Sequence, residues 1–410
     1  MTAPDVRRRL AAYPRAFWML VVGTFVNRTG LVVLPFLALY LATQRGTTIT
    51  QATLAVSLYG AGAFLGGFAG GWVSDRVGRR PVLIASLVGG AVAVAWIPLT
   101  GSYGAAALAT FAFGGIGEMY RPAVSAAVAD LVDEDRQPEA YAILYWAINL
   151  GAAVGPALGG LLAAWSYTAL FVLDGATMLA YALVVVVAIP ETRPEGEGTG
   201  EPVRLGRALR DGTLVALALA VLAVGVAFFQ LFSALPLTMN ADGLSELDYG
   251  LVVTVNGGLI VLVGLPVAAW VGRRLVGWAV PVAVALIAVG LALTAGADTF
   301  WTYALASVVW TVGEMAFLPV VPTIVSRLAP VALRGSYQGV YHGAWGLAKM
   351  LGPALGGLVL AGYGGPTLWL AAAGLAGTAA VLLTALQPAL GRRMVGSPRS
   401  RPSDGSPSAR

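Results

Sequence analysis

The chain has no cysteine, one histidine and one lysine, and only 11% of its 410 residues are charged. Without cysteine there are no disulfides, no thiol catalysis and no thiolate metal site. A lone histidine, His342, leaves too little for a histidine-built metal centre or a Ser-His-Asp triad. No GxxxxGK[ST] stretch is present to cradle a nucleotide. Charge is far below the roughly one quarter usual for soluble domains, while 58% of the residues are apolar. A chain of this kind cannot cover its apolar surface in water. No cofactor, metal or enzymatic chemistry is expected. The net charge of +5 comes almost wholly from arginine, and it reads as membrane topology, with no nucleic acid implied.

Long apolar runs are what the chain does have. Residues 214–229 and 252–271 carry almost no charge over membrane-spanning length. With no water to satisfy the backbone, each span must be helical. The basic start, residues 1–10, leads into a full span holding Asn27 and Arg28, so a cleavable leader is not expected. Hydropathy and breakers divide the chain into twelve spans: 15–42, 51–72, 81–100, 104–130, 139–164, 167–190, 213–239, 248–271, 278–296, 300–327, 335–361 and 367–388.

The arginines orient these spans. Arg7, Arg8 and Arg9 precede span 1; Arg76, Arg79 and Arg80 follow span 2; Arg136 follows span 4. Arg193, Arg204, Arg207 and Arg210 follow span 6, Arg273 and Arg274 span 8, Arg334 span 10, Arg392 and Arg393 span 12. The opposite loops hold only Arg45. This asymmetry places both termini in the cytoplasm of a multi-pass cell-membrane protein. The expected organisation is a six-helix half over 1–190, a cytoplasmic linker over 191–212, a second six-helix half over 213–388 and a disordered tail over 389–410. A short surface helix is expected near 203–209.

The two halves repeat one another. Gly117-Glu118-Met119 opens a stretch closing at Gly155-Pro156-Ala157-Leu158-Gly159-Gly160. Gly313-Glu314-Met315 opens another closing at Gly352-Pro353-Ala354-Leu355-Gly356-Gly357, and Tyr141 and Tyr145 have counterparts in Tyr337 and Tyr341. Many secondary transporters are built as related halves with the substrate held between them.

Gly70-Gly71-Trp72-Val73-Ser74-Asp75-Arg76-Val77-Gly78-Arg79-Arg80 resembles the signature loop between helices 2 and 3 of the major facilitator superfamily. Its glycines permit close helix approach, Asp75 can face the positive end of a neighbouring helix, and the arginines favour an anionic membrane surface. A decayed copy at 264–274 has Ala269 in place of Asp75 and keeps Gly272-Arg273-Arg274. On span 5, Gly151 to Gly160, with Gly155, Pro156 and Gly159, resembles the motif of the twelve-helix drug:proton antiporters. Asn27-Arg28 followed by Leu34-Pro35-Phe36-Leu37-Ala38-Leu39-Tyr40-Leu41 resembles the multidrug subgroup. In one place the chain departs: many antiporters carry a span-4 arginine four residues before a glycine, where this chain has Phe111 before Gly115. The resemblance implies two rocking bundles, with spans 1, 4, 7 and 10 lining a central cavity.

Charges inside spans are costly and mark functional candidates. They are Arg28, Glu118, Arg121, Asp174, Glu314, His342 and Lys349. Glu314 has no cation three or four residues away, which suits it to exchange a proton for a cationic substrate; the competing reading is a fixed pair with Lys349 or His342. Glu118 and Arg121 share a helix face, as a structural ion pair or a proton or gating pair, with Arg28 as a further partner. His342, Trp345 and Lys349 share a face, a relay or simple packing. Asp174 lies outside the expected cavity and suits a hydrogen bond to a neighbouring helix. Asp75, Arg76, Gly71, Gly78, Arg79 and Asp130 would form a cytoplasmic gate, with Arg76 or Arg79 reaching Asp130, or a solvated charge cluster. Tyr120, Trp146, Phe229, Gln230, Trp310 and Trp345 would offer an amphiphilic cavity to a lipophilic cation, although each also suits helix packing. The function expected is proton-coupled efflux of lipophilic or cationic small molecules by a monomer in the bilayer. A proton-coupled importer, or an exporter of a metabolite, sugar or lipid, fits the same pattern; a non-transporting scaffold would need neither buried charges nor repeated glycines.

Overall fold

A computed structural model describes residues 13–193, 205–272, 278–330 and 333–395. Within them the regular elements are all helical. Arg7, Arg8, Arg9, Arg204, Arg273, Arg274 and the 396–410 tail lie outside the described residues. The helices are α1 (Arg15–Gly30), α2 (Val33–Gln44), α3 (Ile49–Val77), α4 (Arg79–Trp96), α5 (Tyr103–Gly117), α6 (Tyr120–Leu131), α7 (Gln137–Trp165) and α8 (Tyr167–Ala188). They continue as α9 (Leu205–Ala208), α10 (Gly212–Phe228), α11 (Gln230–Ser233), α12 (Leu235–Ala241), α13 (Glu246–Gly272), α14 (Ala279–Thr294), α15 (Phe300–Phe317), α16 (Val321–Leu328) and α17 (Arg334–Val395).

Nine helical stretches among the described residues are long and apolar enough to cross a membrane, where hydropathy divides the sequence into twelve. The differences have local causes. Span 4 is not one helix: it breaks between α5 and α6 beside Glu118. Pro122 has no N–H to offer the Glu118 carbonyl, which accepts from Arg121 N at 3.2 Å instead. Span 9 is reduced to the 16 residues of α14. Spans 11 and 12 run on as α17, bent only at Gly364, whose φ of 82° a side chain would oppose. The short helix expected near 203–209 is seen as α9.

Within the first half α1 packs on α7 and α8, α3 on α5, and α4 on α5 and α8; within the second, α10 and α14 pack on α17, and α13 and α14 on α15. Across the halves α3 packs on α17 and α7 on α13. These cross-half contacts have a direction. Gly160 lies 2.8 Å, measured from an added Cβ, from the Glu246 carbonyl, and Phe36 meets Tyr249 edge-on at 5.1 Å. Ala153 meets Gly257, and Phe64 meets Gly346. One turn further, on the same face of α3, Phe68 is 58% exposed; two turns back along α7 from Ala153, Trp146 is 49% exposed. Both helix pairs therefore diverge towards the arginine-rich end. The end carrying residues 45–48 and 242–245 is closed.

Candidate functional site

The break in span 4 delivers Glu118 to the middle of the molecule. Its Oε1 accepts from the Tyr59 hydroxyl at 2.5 Å and its Oε2 pairs with Arg121 Nη1 at 3.1 Å. The Glu118 side chain is buried and that of Arg121 half-exposed. Lys349, from the other half, places its ammonium 4.5 Å from the Tyr59 ring centroid and, with Arg28, within electrostatic reach of Glu118. Arg28 lies 5.7 Å from the Tyr120 ring centroid. The lone histidine, His342, is exposed, stacks edge-on with Tyr341, and feels the charge of Arg121. Glu118, Arg121, Arg28, Lys349 and His342 thus share one electrostatic neighbourhood.

Glu314 occupies the equivalent position in the second half, and its surroundings are different. It is 6% exposed, and its Oε2 accepts from the Asn256 amide at 2.7 Å. Asn256 also donates to Thr311 Oγ1 at 2.9 Å. Tyr145, across the cleft on α7, is the charge-sensitive neighbour from the other half. The pairing of Lys349 with Glu314 considered from sequence is replaced by one between Lys349 and the Glu118 cluster. Asn256 was overlooked in the apolar run 252–271, although an amide in such a run is itself a signal; Tyr59 was missed because tyrosine is ordinary in a span.

Of the aromatic residues, Phe229 and Trp345 meet at 6.0 Å between ring centroids, and Phe228 joins them at 5.8 Å and 6.1 Å. Trp146 and Tyr120 belong to the first half. Two expected cavity residues are packing residues instead. Trp310 is 2% exposed against Gly290 of α14. Gln230 is equally buried, and its amide donates to the carbonyls of Val226 and Gly352 at 2.9 Å and 2.7 Å. Asp174 makes the expected inter-helix bond: its Oδ2 accepts from the Val33 backbone N–H at 3.2 Å.

The glycine motif of α7 packs mostly inside its own half. Gly151 and Gly155 lie against Arg28 and Thr29 of α1, and Gly159 against Val32 and Phe36. Gly160 and the Pro156 carbonyl instead touch α13. The second copy repeats this division: Gly352 and Gly356 face α10 and α11, while Gly357 meets Thr53 of α3 across the interface. Beside the motif, α7 and α13 bound an apolar lateral groove of ≈ 550 Å³, lined by residues such as Leu158, Leu161 and Val261.

At the arginine-rich end, Arg79 reaches Asp130 at 2.9 Å and Asp75 at 3.1 Å. Arg76 does not reach Asp130; its guanidinium lies 3.7 Å from the Trp72 ring centroid. Gly71 packs loosely beside Pro122. The sequence reading missed Glu191. Its carboxylate accepts from the backbone N–H groups of Arg79, Arg80, Thr192 and Arg193 at 2.8–3.2 Å. Burial pushes its pKa up, but these four donors hold it below the usual carboxylate range. Gly78, at φ 115°, leaves room for that carboxylate. The second half has its own tie. Asp211 caps α10 through Thr213 N at 3.0 Å and accepts from Tyr337 at 2.7 Å and Arg393 at 2.6 Å. Burial raises the Asp211 carboxyl, and these hydrogen bonds carry it below its ordinary value.

Residues 20–341 and 217–408 match the Major Facilitator Superfamily. The chain belongs to that superfamily. It is 30% identical over 370 residues, 86% of this chain and 90% of the other, to the uncharacterized MFS-type transporter YttB of Bacillus subtilis (strain 168). It is 24% identical over 383 residues (84% and 89% of the two chains) to a Na(+), Li(+), K(+)/H(+) antiporter of Planococcus maritimus. It is also 24% identical over 362 residues, 85% of each chain, to multidrug resistance protein MdtH of Klebsiella pneumoniae (strain 342). In fold it is similar to the peptide transporter POT in complex with sulfate, with TM-score 0.75 and 19% identity over 93% of this chain and 96% of that one. It is likewise similar to a bacterial homolog of the human lysosomal transporter Spinster in inward-facing and occupied conformation, with TM-score 0.72 and 14% identity over 93% and 97%. This superfamily member is a multi-pass cell-membrane transporter.

Proposed function

We propose that this transporter exports lipophilic cations in exchange for protons. It would do so with twelve spans in two six-helix halves (1–190 and 213–388), a cytoplasmic linker (191–212), a cytoplasmic tail (389–410) and both termini inside. The observation that carries the reading is the contrast between two buried glutamates at repeat-equivalent positions. Glu118 already has Arg121 at 3.1 Å. Glu314 has an amide, so a proton or a substrate cation is what would neutralise it, one at a time. Mutual exclusion at one carboxyl is the simplest basis for antiport. Relatives named as an alkali-cation/H+ antiporter and a multidrug resistance protein favour exchange.

In this reading the open end is cytoplasmic. A cation enters the cleft past Trp146, meets the faces of Phe229 and Trp345, and displaces the proton from Glu314. The halves then rock. Asp75, 70% exposed in this arrangement, would meet the N-terminal end of α17 as the cytoplasmic side closes, with Arg79 and Asp130 holding the loop in place. The span-5 glycines would reseal the outer side on return.

Proteoliposomes with an imposed proton gradient test this, using tetraphenylphosphonium and Na+ as probes beside a Glu314→Gln control. Expected is tetraphenylphosphonium flux opposite to proton flux, lost in the control. Flux in the same direction as protons would make this an importer. Proton-coupled Na+ flux with none of the organic cation would place it with the alkali-cation exchangers instead.

A further inference from the structure

A third buried carboxyl lies outside this scheme. Asp174 of α8 is 0% exposed, and only its Oδ2 is satisfied, by Val33 N. Its Oδ1 has no hydrogen-bond partner, and neither do Arg28 Nε and the Tyr120 hydroxyl. All three residues are more than nine-tenths buried. All three line the same small cavity, together with Asn27, Tyr59 and Glu118. Its room for the centre of a water-sized molecule is ≈ 10 Å³, about that of a single water, which needs two to four polar partners. Native structures rarely leave three polar groups unpaired around one cavity.

We propose that Asp174 is a second proton-binding site, bridged by one internal water to Arg28 and Tyr120, and that its protonation sets the break in span 1. Protonation forms an O–H bond at Oδ1 and removes the carboxylate charge. The cavity water takes up a proton that originates as hydronium in bulk solvent and hands one on to Oδ1, so that it ends as neutral water; release runs the same relay in reverse. Arg28 faces two carboxyls, Asp174 and Glu118. With Asp174 ionised, Arg28 is shared between them. With Asp174 protonated, Arg28 serves Glu118 alone, in company with Arg121 and Lys349.

Among the described residues, the charges that act on Asp174 are those of Arg28 and Glu118. From α2 the contact is the Val33 N–H. From α4, Ala91 and Val94 pack around the adjoining Gly175. The titratable groups of α7, Glu139, Tyr141 and Tyr145, sit in its first nine residues, at the arginine-rich end. The cavity adds Tyr59 from α3 and Tyr120 from α6.

The coupling to shape runs through Val33, the first residue of α2, where span 1 breaks at Leu31–Val32. An ionised carboxylate at a helix N-terminus is favoured by the aligned peptide dipoles, and the favour weakens when it is protonated. α2 is the helix that closes the outer end, through Phe36 on Tyr249 and Gly159. Asp174 therefore connects a proton to the outer closure, whether or not Glu314 carries the exchanged proton.

Infrared difference spectroscopy on the full chain in phospholipid bilayers, stepped in pH, tests the site without a substrate. Expected is a protonated-carboxyl C=O band that titrates in the wild type, disappears in Asp174→Asn, and survives in Glu314→Gln. Should Asp174→Asn fail to fold, Asp174→Glu keeps the acid and must move the band. A spectrum in which no titrating band responds to either Asp174 variant would overturn the proposal. So would a band shifted by Na+ at constant pH, which would make this an alkali-cation site. The cysteine-free chain allows the second readout: spin labels at Thr43→Cys and Asn240→Cys, both exposed at the outer end. Their distance should change with pH in the wild type and not with Asp174→Asn; a distance indifferent to pH in the wild type would sink the coupling to the break.

Discussion

Glu118 and Glu314 stand at matching positions of the two repeated Gly-Glu-Met motifs, and they have opposite surroundings. Around Glu118 are a tyrosine hydroxyl, an ion pair and two further cations. Around Glu314 are an amide and a threonine-linked network, with no cation in it among the described residues. Matching sequence positions thus hold two buried acids with different partners: one is set among fixed cations, while in the proposed mechanism the other is neutralised by a mobile proton or substrate.

The largest expected effect separates the two acids directly. Glu118→Gln strands Arg121, Arg28 and Lys349 without their shared anion. It should destabilise the fold by about 3 kcal/mol, the low end for breaking a buried pair because Arg121 is half-exposed. Glu314→Gln should cost less than about 1 kcal/mol, since glutamine can still accept from Asn256, yet it should abolish proton-driven exchange. Thermal unfolding in detergent read beside liposome flux would show it; equal loss of stability in both variants would erase the distinction.

The interface glycines give the next comparison. Gly160 and Gly357 each face the opposite half, and valine at either would wedge the closed end. About 1–3 kcal/mol is expected against that arrangement, seen as a wider separation of the outer-end spin labels. A response from only one of the two would show that the α3–α17 and α7–α13 contacts are not equivalent.

The arginine loop has no described counterpart in the second half, so Gly78→Ala probes the first half alone. Its positive φ and the neighbouring Glu191 carboxylate both oppose a methyl group, at a cost of about 1–3 kcal/mol. The melting temperature reports it, and flux should fall with it.

The smallest effect concerns the tie at Asp211. Its carboxyl is lowered in the folded protein, so its contribution is complete above the unfolded carboxylate value of about 3.9. That contribution is lost as the pH falls through the lowered folded value. Asp211→Asn should be modestly less stable at neutral pH and should converge with the wild type on strong acidification. Melting curves across that range decide it, and parallel curves would mean the tie does not form.

The repeat, the all-helical membrane fold and the buried charges could be read from the chain because each leaves a local mark: a doubled motif, an apolar run, an ionisable residue within it. The ion pair of Glu118 with Arg121 followed from three-residue spacing, and the reach of Arg79 to Asp130 from the loop motif. What could not be read depends on distant pairing. Asn256 meets Glu314 from 58 residues away, and Glu191 meets the arginine loop from 112 away. Lys349 reaches Tyr59 only because two halves pack. The break beside Glu118 was visible in Pro122, but a hydropathy window averages over it.

One bend has a consequence for anything approaching the closed end. Gly364 turns α17 with no intervening loop, and between α7 and α8 stands Ser166 alone. At those points there is almost nothing for a protease to cut, an affinity tag to interrupt or an antibody to grip. A binder for that face would have to settle on the longer connections at 45–48, 97–102, 242–245 or 295–299. A change of tilt in one arm of α17 would also be felt at once by the other, because no slack lies between them.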